Sequence, residues 1–376
     1  MSIPVTLPGI HFDPDNYQQL LSQKSRTVRE LLAAFDPPPA TVVASPVEHF
    51  RMRAEFRIWH ETTSEGSRCH YVMFDAKQSK KPVKIERFPI VNQSISQLMA
   101  PLLVAINNNF TLHKRLFQIE FLSNSTDELL VTLIYHKQLD DSWEQQAALL
   151  QKQFHIAIIG RARKQKRILL RDYVTEQLII NGQPFFYQQK ENSFTQPNAA
   201  INAQMIEWVC SYFLAQPNYL SSDLLELYCG NGNFTLPLAQ HFRKVLATEV
   251  SKTSIRSAQY NCALNKIDNI AFIRLSSEET SSALQREREF RRLRDINLDD
   301  YQFSAVFVDP PRAGLDAQTL QLVSRFDTIA YISCNPETLA SNMKELSKTH
   351  RVDKLGVFDQ FPYTPHCECG VILIRK

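Results

Sequence analysis

Cys334 follows the apolar run Thr328 to Ile332 and precedes Asn335-Pro336, where a helical pattern begins. A thiol at a helix N-terminus is disposed towards the thiolate, the form that attacks carbon. The ordinary reading of a cysteine after an apolar strand is a small buried hydrophobe. Ser333, Asn335 and Pro336 mark a loop instead, so the nucleophile reading is favoured. Asp309 ends a second apolar run and is held by Pro310 and Pro311. Glu249 closes Lys244 to Val250, roughly 20 residues beyond Gly230-Asn-Gly232, where a carboxylate can accept both hydroxyls of a ribose. Glu368 is a candidate general base, although alone it reads as a solvated loop glutamate. Cys367 and Cys369 with His366 offer too few ligands for zinc, so no metal is expected.

The elements that position these groups follow a strand–helix rhythm. Leu224 to Tyr228 reads as a buried strand that breaks at Gly230-Asn-Gly232 and continues as a helix, the opening of a nucleotide-binding βαβ unit. The third glycine of the dinucleotide fingerprint is missing, which disfavours NAD. A helix from Ser251 to Leu264 and strands at Asn269 to Leu275, Ser304 to Val308 and Thr328 to Ile332 complete an α/β half. Its reactive residues lie at the carboxyl ends of strands, where open α/β sheets bind ligands. The charged segment Ser276 to Tyr301 reads as a surface excursion that does not touch the motifs.

The front half differs. Tyr17 to Phe35 is a helix stopped by Asp36-Pro-Pro-Pro39, and its docking is left open, the catalytic half being one place for it. Arg51 to His60 alternates basic and apolar residues, with Tyr71 to Phe74 as its hairpin partner. Phe117 to Leu122, Leu129 to Tyr135 and Ile156 to Ile159 are further strands, and Ile95 to Ile106 and Ser142 to Gln153 are helices. Two basic clusters, Lys77 to Arg87 and Arg161 to Arg167, favour a phosphate-backbone surface. Arg286 to Arg294, of mixed sign, reads as a solvated face. The boundary falls near Gln183 to Ser193, giving an α+β, strand-rich domain over 1–190 and an α/β domain over 191–376. With 376 residues and 22% charged, no membrane-length apolar run, no signal-peptide pattern and seven scattered cysteines, a cytoplasmic protein without a disulfide framework is expected.

Taken together, Ser193-Phe-Thr-Gln-Pro-Asn198, Leu227-Tyr-Cys-Gly-Asn-Gly-Asn-Phe234, Phe307-Val-Asp-Pro-Pro-Arg-Ala-Gly-Leu315, Tyr331-Ile-Ser-Cys-Asn-Pro-Glu-Thr-Leu339 and His366-Cys-Glu368 resemble the RNA uracil-5 methyltransferase family. Phe50 to His60 and Leu116 to Ile119 resemble its bacterial tRNA branch. The resemblance implies a Rossmann-like class I methyltransferase domain behind an RNA-binding domain. It implies S-adenosyl-L-methionine as cofactor, with Gln196, Tyr228, Asn233, Glu249 and Asp309 lining its site. Cys334 would be the nucleophile and Glu368 the base. Phe117, with Arg51, Arg53 and Arg57, would contact RNA. The implied substrate is the T arm of tRNA, methylated at uridine 54 of the T loop to give ribothymidine by a monomeric enzyme without membrane, metal or iron–sulfur cluster. The ribosomal-RNA branch needs an iron–sulfur cluster, and the front half offers only Cys69 before Cys210. Alternatives are ribosomal or transfer-messenger RNA as substrate, an amino-group or cytosine-5 methyltransferase, and an RNA-binding protein with a relic fold.

Overall fold

The computed structural model describes residues 5–64, 66–74 and 81–376. Lys77 and Lys80 of the first basic cluster lie outside the described residues. The chain forms two compact units: Met1–Tyr17, Pro46–Gln177 and Gln188–Ala199 in the first, and Gln18–Ser45, Leu178–Tyr187 and Ala200–Lys376 in the second. Each unit draws on more than one segment, so no single cut point separates them.

The first unit is built on a sheet ordered Gln165–Ile168, Ala157–Ala162, Leu129–Tyr135, Leu116–Ser123, Arg53–Thr63, Gly66–Phe74, Pro82–Lys84. Its pairs are antiparallel except Leu129–Tyr135 with Ala157–Ala162, which run parallel. A parallel pair needs a crossover, and the helix Asp141–Phe154 supplies it. Trp143 on that helix is fully buried and sits where a side chain at Gly160 would collide with it. Glycine there lets helix and strand approach.

The second unit is an eight-stranded sheet. Its order is Ile270–Ile273, Lys244–Thr248, Asp223–Leu227, Phe303–Val308, Thr328–Ser333, Glu368–Arg375, His350–Phe358, Thr41–Val43. The first five strands are parallel, and Glu368–Arg375 runs antiparallel to both neighbours. Near-continuous apolar runs are what a sheet buried on both faces requires. The helix Tyr17–Leu32 contributes Val28 and Leu32 to this core, and its last turn tightens into a 3₁₀ segment, Ala33–Phe35. Lys24 enters the same unit as a buried ion pair with Asp359 at 2.6 Å and donates to the Phe361 carbonyl at 2.8 Å.

Candidate active site

The strand order reverses at Asp223–Leu227, flanked by Lys244–Thr248 on one side and Phe303–Val308 on the other. A crevice opens at such a switch point, beyond the carboxyl ends of the strands. The turn leaving the first strand has Tyr228 at φ +62°, Gly230 at +55° and Gly232 at +86°. A side chain at Gly232 would strike Leu236, so glycine there serves close packing as well as the turn. Tyr228, a non-glycine residue held left-handed, is a feature the sequence did not signal. Its hydroxyl donates to Ser277 Oγ at 2.9 Å.

That contact corrects the reading of Ser276 to Tyr301. The segment begins with the helix Ser277–Leu284, opened by a capping box between Ser276 and Glu279. Phe290, Leu293, Ile296, Leu298 and Tyr301 then pack on the core. Apolar residues spaced among its charges carry it inward, and it does reach a site residue. The charges themselves pair off, Arg292 with Glu279 and Arg294 with Asp295.

Glu249 accepts from the Gly230 N–H at 3.2 Å and the Ser251 N–H at 2.8 Å. Each oxygen keeps a lone pair for a ligand. Asn233 exchanges amide hydrogen bonds with Asn202 at 2.8 and 2.9 Å. Asn202 is thus a supporting residue that sequence reasoning missed. Gln196 lies in the first unit, whereas Tyr228, Asn233, Glu249 and Asp309 lie in the second.

The register of Thr328–Ser333 on Glu368–Arg375 pairs Ser333 with Cys369. One more step of that antiparallel ladder sets Cys334 opposite Glu368. The Ser333 hydroxyl donates to the Asn335 carbonyl at 3.0 Å and accepts from its N–H at 3.2 Å, which brackets Cys334. The Asp309 loop is fastened to the helix Pro336–Leu346. Asn342 accepts from the Leu315 N–H at 2.9 Å and the Tyr331 hydroxyl at 2.8 Å and donates to the Leu315 carbonyl at 3.0 Å, while Thr338 donates to the Arg312 carbonyl at 3.1 Å.

Electrostatically the site is a group of acids in poor solvent. Burial pushes Glu368, 4% exposed, up to about 8, with Asp309 adding to the rise. Burial pushes Asp309, half-buried by surface, up to about 7. Glu226 is another residue the sequence reading passed over. It is an acid inside an apolar strand, 1% exposed, raised to about 8 by burial first and then by Asp309. Its Oε2 has no hydrogen-bond partner among the described residues. Cys334 is half-buried, and burial, then Glu368 and Asp309, push its thiol up to about 11. This differs from the thiolate expected at a helix N-terminus. Asn335 already caps that helix by accepting from the Glu337 N–H, and the neighbouring carboxyls oppose a second negative charge. An orphaned buried carboxylate oxygen among raised acids suits a cationic ligand, which a sulfonium carrying an ammonium group provides.

The proposed RNA contacts lie in the first unit. Phe117 stacks on His136 with centroids 4.0 Å apart, and the Arg57 guanidinium lies 4.0 Å from the same ring centre. Arg57 is exposed. Arg51 and Arg53 line a cavity of about 220 Å³ together with Glu55, Glu120 and Glu191, with Glu55 acting on the charge of both and Glu120 and Glu191 on that of Arg53. In the Arg161 to Arg167 cluster, Arg161 pairs with Glu191, Lys166 with Asp172 and Glu191, and Arg167 with Asp141 and Glu144. Arg163 and Lys164 stand exposed at the turn.

A family model described as tRNA (Uracil-5-)-methyltransferase matches residues 16–376. The chain belongs to the tRNA (uracil-5-)-methyltransferase family. It is 52% identical over 365 residues to the tRNA/tmRNA (uracil-C(5))-methyltransferase of Saccharophagus degradans, covering 97% of this chain and 98% of that protein. The Aggregatibacter aphrophilus protein of the same name is 50% identical over 366 residues, covering 96% and 98%. The fold is similar to that of Pyrococcus abyssi tRNA (uracil-54, C5)-methyltransferase in complex with S-adenosyl-L-homocysteine. That similarity has a TM-score of 0.72 at 23% identity and covers 96% of this chain and 84% of the other. The second unit is therefore a class I S-adenosylmethionine-dependent methyltransferase fold, and S-adenosylmethionine is the cofactor of the family's reaction. Among the described residues no helix is long and apolar enough to cross a membrane.

Proposed function

We propose that this chain methylates carbon 5 of uridine 54 in the T loop of tRNA, through a covalent adduct between Cys334 and carbon 6 of the uracil. The observation that carries the proposal is that Cys334, one residue past Thr328–Ser333, and Glu368, the first residue of the antiparallel neighbour Glu368–Arg375, come together with Asp309 acting on both, at the carboxyl ends of the parallel strands. Carbon 5 of uracil is a weak nucleophile. Cys334 gives up its proton to solvent and its sulfur bonds to carbon 6, which sends the ring π electrons onto the carbonyl oxygen as an enolate. S-adenosylmethionine would supply the methyl group that carbon 5 accepts, leaving S-adenosylhomocysteine. Glu368 then takes the proton from carbon 5, the ring double bond reforms, and the carbon–sulfur pair returns to Cys334. A base with a pKa near the working pH suits this step, and about 8 is in that range. Glu226, Asp309 and Glu249 would hold the cofactor's cationic and ribose groups, with Tyr228 and Asn233 lining its site.

The Arg57–Phe117–His136 stack is the proposed aromatic contact for RNA, with Arg163 and Lys164 as phosphate contacts. A flipped uracil costs a few kcal/mol, roughly, and base–aromatic stacking offsets part of that. The curated relatives' names add transfer-messenger RNA, so the substrate class is RNA with a T arm or its mimic, bound by a monomer in the cytoplasm. A Glu368→Gln variant incubated with tRNA and S-adenosylmethionine tests the mechanism. A denaturation-resistant protein–RNA adduct should accumulate, and Cys334→Ala should abolish it. Normal turnover by Glu368→Gln would remove that residue from the role.

A further inference from the structure

Three side chains of the first unit that methylation leaves unused converge on one point. His60 on Arg53–Thr63 pairs directly with Cys69 on Gly66–Phe74, and His113 ends the short helix Phe110–His113. The ligand-type atoms of all three lie within 4.8 Å of one another. His60 Nε2 donates to the Leu116 carbonyl at 2.7 Å, which leaves Nδ1 as a lone pair 3.6 Å from Cys69 Sγ. The His113 ring is hydrogen-bonded to the backbone of Ser67, and its Nε2 is buried without a hydrogen-bond partner among the described residues.

Metal-bound imidazoles typically anchor the far nitrogen on a carbonyl or carboxylate, which fixes the tautomer and aims the near nitrogen. Two ligands about 2.0 and 2.3 Å from a tetrahedral zinc lie about 3.5 Å apart. The His60–Cys69 separation is 3.6 Å. Cys69 is fully buried, too enclosed to serve as a free nucleophile. Its backbone is clamped by Asn107, which accepts from the Cys69 N–H at 2.7 Å and donates to its carbonyl at 3.1 Å.

We propose that His60, Cys69 and His113 bind one zinc-type divalent cation, with water as the fourth ligand. The sulfur–metal bond forms as the Cys69 S–H proton passes to solvent, so one proton is released per ion and nothing is oxidised. The ion would tie the strand pair to the helix that leads into Leu116–Ser123, the strand bearing Phe117. From the sequence, Cys69 is set aside as too isolated for an iron–sulfur cluster, and zinc ligands are sought around His366 and Cys367. These three residues are scattered too widely to form a ligand motif, and only the fold joins them.

The test is to strip the full-length protein with a chelator and titrate it with cobalt(II) as a spectroscopic probe, then with zinc(II). The site predicts one equivalent of cobalt, a thiolate-to-cobalt charge-transfer absorption, its displacement by zinc, and about one proton released per ion. Cys69→Ser should remove the charge-transfer absorption. His113→Asn, which leaves the buried thiol in place, should weaken binding by at least about tenfold. Absence of the thiolate band in the unaltered protein would overturn the proposal and leave a thiol–imidazole hydrogen bond. A band undiminished in Cys69→Ser would assign the ion to another cysteine and overturn it equally.

Discussion

Asp309→Asn should flatten the pH dependence of cofactor affinity. In the free protein burial raises the Asp309 carboxyl from 3.8 to about 7. A cation bound beside it favours the ionised form, so its pKa falls on binding. Affinity is then fully present above the free-protein value and lost as pH falls through it. A group of pKa about 7 is roughly one-tenth ionised at about pH 6 and nine-tenths at about pH 8, so Asp309 alone predicts about a tenfold tightening across that window, or ~1.4 kcal/mol. Glu226 and Glu368, raised to about 8, steepen the upper part. A hydrogen bond to a charged group contributes roughly 1.5–3 kcal/mol, so the variant should bind about 10- to 150-fold more weakly at the alkaline end and differ least at the acid end. Equilibrium titration of S-adenosylmethionine at several pH values measures this. A flat affinity profile for the unaltered protein, or an Asp309→Asn profile parallel to it, would refute the reasoning.

Other perturbations have equally definite outcomes. Glu226→Gln should stabilise the cofactor-free protein at alkaline pH. The folded pKa of about 8 exceeds the ordinary 4.5, so stability is lost as pH rises between them. The gap in unfolding free energy between variant and parent, measured by denaturant titration, should therefore open from about pH 5 to about pH 8, on the order of a few kcal/mol at the top. Lys24→Ala leaves Asp359 buried without its ion pair and should cost about 3–5 kcal/mol in denaturant unfolding. Gly314→Ala forces a side chain at φ +77° into Thr338 and Asn342. It should cost at least about 1–3 kcal/mol and raise the KM for the cofactor by displacing the Asp309 loop.

Much of this site is legible in sequence because its parts are local. A glycine turn, a proline-stiffened acid and a cysteine before a helix each announce themselves within a few residues, and their βαβ spacing puts them on one edge. What the sequence hides is non-local. Thr41–Val43 joins the sheet edge beside His350–Phe358 after a run of prolines. Glu226 hides in an apolar strand, and its single acid at a buried position was the available signal. The shift of Cys334 to about 11 arises from carboxyls that sequence places far away. Arg51 and Arg53 alternate as a basic strand face should, yet Glu55, Glu120 and Glu191 share their cavity. The Ser276 to Tyr301 segment reads as surface by its charge, while its spaced apolar residues dock it on the core.

The most direct test is methyl transfer from labelled S-adenosylmethionine to an unmodified tRNA transcript, with nucleoside analysis and Cys334→Ala alongside. 5-Methyluridine should form at the T-loop position and be absent with the variant. Label on an exocyclic amine, or undiminished transfer without Cys334, would contradict it.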